Sequence, residues 1–304
     1  MKSIHALFRF APLAAIAAAV FADTPPLTPD IPAHYQAPTD RYDYIKREVM
    51  IPMRDGVKLY TVIVIPKGAK SAPIILTRTP YEAAKRTARN KSPHMLATLP
   101  QGDEVFVRDG YIRVFQDVRG KYKSEGEYVM TRPPRGPLND SKVDHTTDAW
   151  DTIDWLVKNV PESNGRVGML GSSYEGFTVV MALLDPHPAL KVACPESPMV
   201  DGWMGDDWFH YGAVRQVNFD YFTDQTSIKD EGDDIVRHGY DDYENFLRAG
   251  SAGDFGKAAG LEQLPFWRKL TEHPAYDAFW QHQALDKLIA DKPLTVPTMW
   301  LQGI

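Results

Sequence analysis

Two apolar, β-branched runs, 45–51 and 57–65, flank Arg54-Asp55-Gly56. Short runs of this kind around an Asp-Gly turn predict a β-hairpin, so the body of the chain opens antiparallel. Beyond it, apolar runs at 73–78, 111–116, 166–170 and 190–194 alternate with helical patterns. The clearest of these, 147–159, puts Ala149, Trp150, Ile153, Trp155, Leu156 and Val160 on or near one helical face and is closed by Pro161 and Asn164-Gly165. Such alternation predicts an α/β fold built on a mostly parallel sheet with helices on both faces.

The pattern then changes. The segment 203–290 is helical in period and rich in aromatic residues but holds no convincing strand, which predicts a helical cap inserted over one end of the sheet. A last apolar run, 294–301, reads as a return to the sheet, although Pro297 interrupts it. At the other end, 23–39 is rich in Pro and polar residues and predicts an extended, surface lead-in. No internal repeat or low-complexity tract is present.

Composition adds compartment and excludes some partners. With 43% hydrophobic and 24% charged residues, the 304-residue chain belongs among ordinary globular proteins. Lys2 and Arg9 precede an Ala-rich apolar run, 11–21, that ends in Val20-Phe21-Ala22. This is the layout of a cleavable signal peptide, 1–22, and predicts a secreted or periplasmic protein. The run is too short to span a bilayer comfortably, so no membrane association is expected after its removal. Loss of the two basic groups takes the net charge from −6 to −8. An acidic body repels nucleic acid and suits a cationic substrate. Cys194 is the only cysteine, so no intrachain disulfide is possible, and in a predicted strand it reads as a small buried hydrophobe. Without a clustered Cys/His ligand set, neither a metal nor an organic cofactor is expected. Self-association stays open. The expected organisation is 1–22 signal peptide, 23–202 first part of the α/β core, 203–290 cap and 291–304 return to the core.

The chemistry concentrates in one turn. The strand 166–170 runs into Gly171-Ser172-Ser173-Tyr174-Glu175-Gly176 and then into an apolar helical run, 177–184. Strand, Gly-bracketed turn and helix are the setting of a nucleophile elbow, where a serine hydroxyl stands at a helix N-terminus whose N–H groups can meet a developing oxyanion. Ser173 is preferred to Ser172 because it lies two residues after Gly171. The turn departs from G-x-S-x-G, since Glu175 stands where the second Gly would be. The alternative is a plain strand-to-helix turn in which Ser172 or Ser173 caps the helix.

Three further segments accompany this turn: Arg78-Thr79-Pro80-Tyr81, Gln116-Asp117-Val118-Arg119-Gly120 and Asp206-Asp207-Trp208. Together the four motifs resemble the signature of the α-amino-acid ester hydrolases, relatives of cocaine esterase and of the Xaa-Pro dipeptidyl-peptidases. The resemblance implies the α/β-hydrolase fold and a serine hydrolase or acyltransferase acting on small amino-acyl esters and amides, β-lactam antibiotics included, through an acyl-enzyme at Ser173. It implies that the Tyr174 backbone N–H and the Tyr81 phenol hold the oxyanion. It also implies that Asp207 belongs to a carboxylate cluster around the substrate's ammonium group, while a solvated acidic pair or a helix N-terminal acid is the plain alternative for that residue. Asp117 and Arg119 read as a charged pair shaping a turn. An Xaa-Pro dipeptidyl-peptidase or a cocaine-esterase-like carboxylesterase would use the same machinery.

A serine needs a histidine base and an acid, and on this fold both follow the nucleophile in chain order. Counting strands puts the acid just beyond Ile304 and the histidine later still. His210, His238, His273 and His282 fall in the predicted cap, and His145 and His187 lie near helix ends, where a surface role is expected. The resemblance further implies a C-terminal jelly-roll domain that this sequence lacks. The expectation is a fragmentary reading frame, truncated before the last strands, whose isolated polypeptide is inactive or misfolded. A non-catalytic binding protein on the same fold is the other class.

Overall fold

The computed structural model describes residues 30–303 apart from 33, 36, 37, 206, 227, 228 and 240. By internal contact the chain divides into Met1–Pro38, of which little is described, and a body, Thr39–Ile304. The expected signal peptide lies outside the described residues.

Six strands form the main sheet: β1 (Tyr44–Pro52), β2 (Lys58–Pro66), β3 (Ala72–Thr79), β4 (Ile112–Asp117), β5 (Ser163–Ser172) and β6 (Leu190–Glu196). Their order is β1-β2-β4-β3-β5-β6. The hairpin β1–β2 forms as expected, with the Gly56 N–H donating to the Met53 carbonyl at 2.9 Å and Gly56 at φ 86°, a conformation glycine adopts without steric cost. β2 pairs antiparallel with β4, and from there β4, β3, β5 and β6 run parallel. Parallel neighbours need crossovers. The β3–β4 connection contains α1 (Met95–Thr98) and α2 (Glu104–Arg108), while α3 (His145–Asn159) joins β4 to β5 and α4 (Tyr174–Leu183) joins β5 to β6.

The two longer helices show why the sheet is stable. α3 starts two residues earlier than its apolar period because Asp144 caps it. The Asp144 carboxylate accepts the Thr147 N–H at 2.9 Å, and the Thr147 hydroxyl accepts the Asp144 N–H at 3.0 Å. Its buried stripe, Ala149, Ile153 and Leu156, packs with Val167, Met169 and Leu190 beneath the sheet. Every residue of α4 is buried. A helix apolar all round has two partners: Val179, Ala182 and Leu183 face the sheet core, and Phe177, Val180 and Met181 belong to a second core shared with the cap.

The cap is helical as expected, with α5 (Phe219–Thr226), α6 (Asp242–Ala249), α7 (Ala252–Ala258), α8 (Pro265–Glu272), α9 (Ala278–Gln281) and α10 (Leu285–Ala290). It also contains a hairpin the sequence reading missed, β7 (Phe209–His210) with β8 (Ala213–Val214), whose two-residue strands are too short to show alternation. Aromatic side chains fill its core, where Trp208 meets Phe222 and Phe266 at ring separations of 5.4 and 5.0 Å. The expected strand at 294–301 is corrected. Two parallel bridges, Ala193 with Thr298 and Glu196 with Leu301, closed by four main-chain hydrogen bonds, tie this segment to the end of β6, and Pro195 and Pro297 have no N–H to make the ladder continuous. No helix among the described residues is long and apolar enough to cross a membrane.

Candidate active site

In a sheet with parallel β3, β4, β5 and β6, the loops that follow these strands emerge at one edge, where ligands of open α/β sheets bind. β5 ends at Ser172 and α4 begins at Tyr174, leaving Ser173 as the single residue of the turn. Ser173 has φ 58° and ψ −122°, a strained conformation for a residue with a Cβ. Two hydrogen bonds hold it there: its N–H donates to the Glu196 carbonyl and its carbonyl accepts the Phe177 N–H, both at 2.9 Å. The bend leaves the Ser173 side chain exposed, and it makes no capping bond to α4. The plain capping alternative therefore fails for this residue.

The spacing of the two glycines has a packing cause. A Cβ on Gly171 would lie 2.5 Å from the Glu175 Cβ, and one on Gly176 would lie 2.7 Å from the Glu196 carbonyl oxygen. The second glycine is needed where α4 crosses the end of β6, one residue later than in the generic pattern.

The two candidate oxyanion donors lie on elements that adjoin at this edge. The Tyr174 N–H is the first of α4, at the positive end of the helix and without a carbonyl in a preceding turn. The Tyr174 side chain turns inward, where its hydroxyl accepts the Thr131 N–H at 3.0 Å and lies 3.4 Å from His145 Nε2. Burial pushes this phenol up to about 12, so it is neutral. Tyr81 follows β3, the immediate neighbour of β5, and the pairing of Leu76 with Met169 sets the two loops side by side. Its N–H donates to the Thr79 hydroxyl at 3.0 Å, and its phenol lies 3.4 Å from that of Tyr221 on α5. Burial, then the Tyr81 neighbour, raises the Tyr221 phenol well above its ordinary value, and Asp207 adds to the effect. Asp207 is therefore within electrostatic range of Tyr221. It is half-buried in the bend before β7, its main-chain carbonyl accepting from the Asn218 amide, and it is not at a helix N-terminus. Asp206 lies outside the described residues.

Asp117 and Arg119 do not pair with each other, which corrects the sequence reading. Arg119 binds Asp148 at 2.6 Å and Asp55 at 2.8 Å, and Asp148 also faces Arg78 at 3.6 Å. Asp117, at the end of β4, accepts the Ala83 N–H at 2.6 Å and so anchors the loop after Tyr81. Burial raises its carboxyl to about 6, against the lowering by the Ala83 and Lys123 N–H groups. A carboxyl that keeps its proton longer when folded makes stability fall as pH rises from about 4 to about 6 and level off above. Asp117→Asn is expected to remove that slope from a plot of melting temperature against pH, and an unchanged slope would assign it to another group.

The histidines differ from expectation in two places. His145 is not superficial: it is buried against Tyr174 and Phe177, and burial, then Arg78, Arg132 and Arg119, drive its pKa well below the usual imidazole value. His187 is likewise buried, packed on Trp150 at 4.6 Å with Asp154 at 3.6 Å. His273 is stacked on Phe279 and bound to Asp277 at 2.7 Å. Cys194 is half-buried in β6, and burial, then Glu196, raises its thiol, which disfavours the thiolate.

The sequence profile of the X-Pro dipeptidyl-peptidase (S15) family matches residues 55–304. Cocaine esterase of Rhodococcus sp. (strain MB1 Bresler) is 33% identical over 174 residues, covering 57% of this chain and 27% of that protein. A solved structure of an α-amino acid ester hydrolase labelled with selenomethionine superposes with a TM-score of 0.89 at 75% identity, covering 92% of this chain and 46% of that one. An aminopeptidase from the marine sediment archaeon Thaumarchaeota archaeon gives 0.88 at 52% identity, covering 91% and 46%. The chain therefore spans about half the length of these structures and about a quarter of that of the esterase.

Proposed function

The chain belongs to the X-Pro dipeptidyl-peptidase (S15) family of α/β-hydrolases, and from that premise we propose that it supplies the nucleophile and oxyanion site of a serine hydrolase or acyltransferase for α-amino-acyl esters and amides. The observation that carries the reading is Ser173, exposed at a strained turn with a hydroxyl that caps nothing. In the proposed step Ser173 Oγ attacks the substrate carbonyl and its proton passes to a base. The carbonyl oxygen gathers charge toward the Tyr174 N–H and the Tyr81 phenol. The carbon–oxygen or carbon–nitrogen bond then breaks, the departing alcohol or amine takes the proton, and an acyl-enzyme is left for water or a second amine, such as a β-lactam nucleus, to release.

A histidine base and its acid follow the nucleophile in chain order on this fold. The segment bridged at Thr298 and Leu301 runs parallel to β6, toward the edge that carries Ser173. Asp207, half-buried and within electrostatic range of Tyr221, supports an ammonium-bearing substrate, because a carboxylate partly out of bulk water attracts a cation more strongly than an exposed one. The basic start and apolar run 11–21 support export to a periplasmic or extracellular compartment.

The protein is to be offered D-phenylglycine methyl ester, an X-Pro chromogenic peptide and a simple benzoyl ester. Preference for the first by about tenfold or more in kcat/KM supports the amino-acyl reading, since each 1.4 kcal/mol of differential binding is tenfold. Preference for either of the others assigns the site to a dipeptidyl-peptidase or a carboxylesterase. Tight binding of a phenylglycine amide with no turnover and no capture of a fluorophosphonate at Ser173 would favour a binding protein.

A further inference from the structure

The loop after β3 is held in a conformation that its residues do not favour on their own. Glu82, directly after Tyr81, has φ 67°, in the left-handed region. Such a turn persists when its surroundings over-determine it. Three anchors do so here. The Tyr81 N–H binds the Thr79 hydroxyl of β3, and the Ala83 N–H binds the Asp117 carboxylate of β4. The third anchor crosses to another element: the Arg86 guanidinium donates to the Glu175 carboxylate of α4 at 2.5 Å.

Glu175 is the residue that breaks the generic elbow pattern, and it is the immediate neighbour of Tyr174. Its carboxylate is nearly out of water, 8% exposed, while Arg86 is 34% exposed. Its main-chain carbonyl and Cβ come so close to position 171 that only glycine fits there. The other charges nearby are committed elsewhere: Arg113 to Asp103 at 3.0 Å, and Lys85 to Glu82 and Glu231. A charge-assisted bond between a loop and a helix N-terminus fixes one against the other in direction as well as distance. We infer that Arg86 and Glu175 are a positioning pair, which sets the Tyr81 phenol against the Tyr174 N–H so that the two halves of the oxyanion site act on one atom. This rests on the acyl-transfer reading of Ser173. The plain alternative is an acid that merely stabilises the first turn of α4.

The test uses the full-length protein with Glu175→Gln, Arg86→Gln and Arg86→Lys. Three quantities are read: melting temperature, amide hydrogen exchange of the peptide covering 80–88, and kcat and KM on D-phenylglycine methyl ester. Both Gln variants are expected to fold and to exchange faster in 80–88 but not in β3 or β5. Their kcat should fall by about 10- to 100-fold, the range a misplacement of about 1 Å produces, with KM little changed. Arg86→Lys, which keeps the charge, should restore most of both. Unaltered exchange in both Gln variants overturns the tie whatever the turnover. Faster exchange with an intact kcat, or with the loss confined to KM, overturns the role at the oxyanion. If Glu175→Gln does not fold, the partly exposed Arg86 variants decide. In a protein that carries the histidine and acid this reading calls for, a parent that hydrolyses no ester sinks the acyl-transfer reading instead, and the exchange data still decide whether the pair holds the loop.

Discussion

Ser173→Ala is expected to lower kcat on D-phenylglycine methyl ester by about 10⁶-fold, the cost typical of deleting a serine nucleophile, while leaving the melting temperature where it was. The two halves of this expectation have different causes. Turnover falls because no neighbour can take over the attack: Ser172, the adjacent hydroxyl, lies in β5, and Cys194 has its thiol raised rather than lowered. Stability holds because the Ser173 side chain is exposed and caps nothing, and the bonds that keep the bend belong to its backbone. The measurement is a progress curve on the ester with an intact-mass check for fluorophosphonate capture. Retained capture in the Ala variant, or its loss in Ser172→Ala, would move the nucleophile.

Asp148→Ala should be the most destabilising single change near the site, by about 3–5 kcal/mol, because removing one member of a buried ionic cluster leaves its partners uncompensated. Asp148 is 2% exposed and shared by two arginines, Arg119 at 2.6 Å and Arg78 at 3.6 Å, which are 5% and 0% exposed. Burial already works against the charge on Arg78, and Asp148 is the largest influence opposing it. Arg119 keeps Asp55, but Arg78 is left with the neutral Gln116 side chain and the His145 carbonyl. Urea midpoints would show this against Glu104→Ala, which removes an exposed pair with Arg108 and should change stability by about 0.5 kcal/mol at most. Equal shifts in the two variants would mean that the cluster contributes no more than a surface pair.

How much of this was legible before the structure depends on the range of the interaction. Strand limits were read to within a few residues because burial on both faces writes itself into consecutive residues, as in β2 and β3. The turn at Ser173 was legible for a similar reason: a strained bend against a neighbouring strand demands small residues at fixed offsets, and Gly171 and Gly176 are those residues. The contact between Tyr81 and Tyr221 spans 140 residues and that between Arg86 and Glu175 spans 89, so no local period carries either. His145 was misplaced because position near a helix end suggests solvent, whereas this helix starts under the sheet edge against Tyr174 and Phe177. The segment 294–301 has the composition of a strand and, with Pro297, only two bridges of one.

The helix that follows the elbow has a mechanical consequence. Because α4 gives one flank to the sheet and the other to the aromatic interior of the cap, the two layers have no seam between them that could open without stripping Phe177, Val180 and Met181 of their neighbours. Sheet and cap should therefore unfold in a single cooperative transition. On the acyl-transfer reading proposed above, entry to Ser173 is then expected to use side-chain and loop adjustments at the mouth in place of a hinged cover.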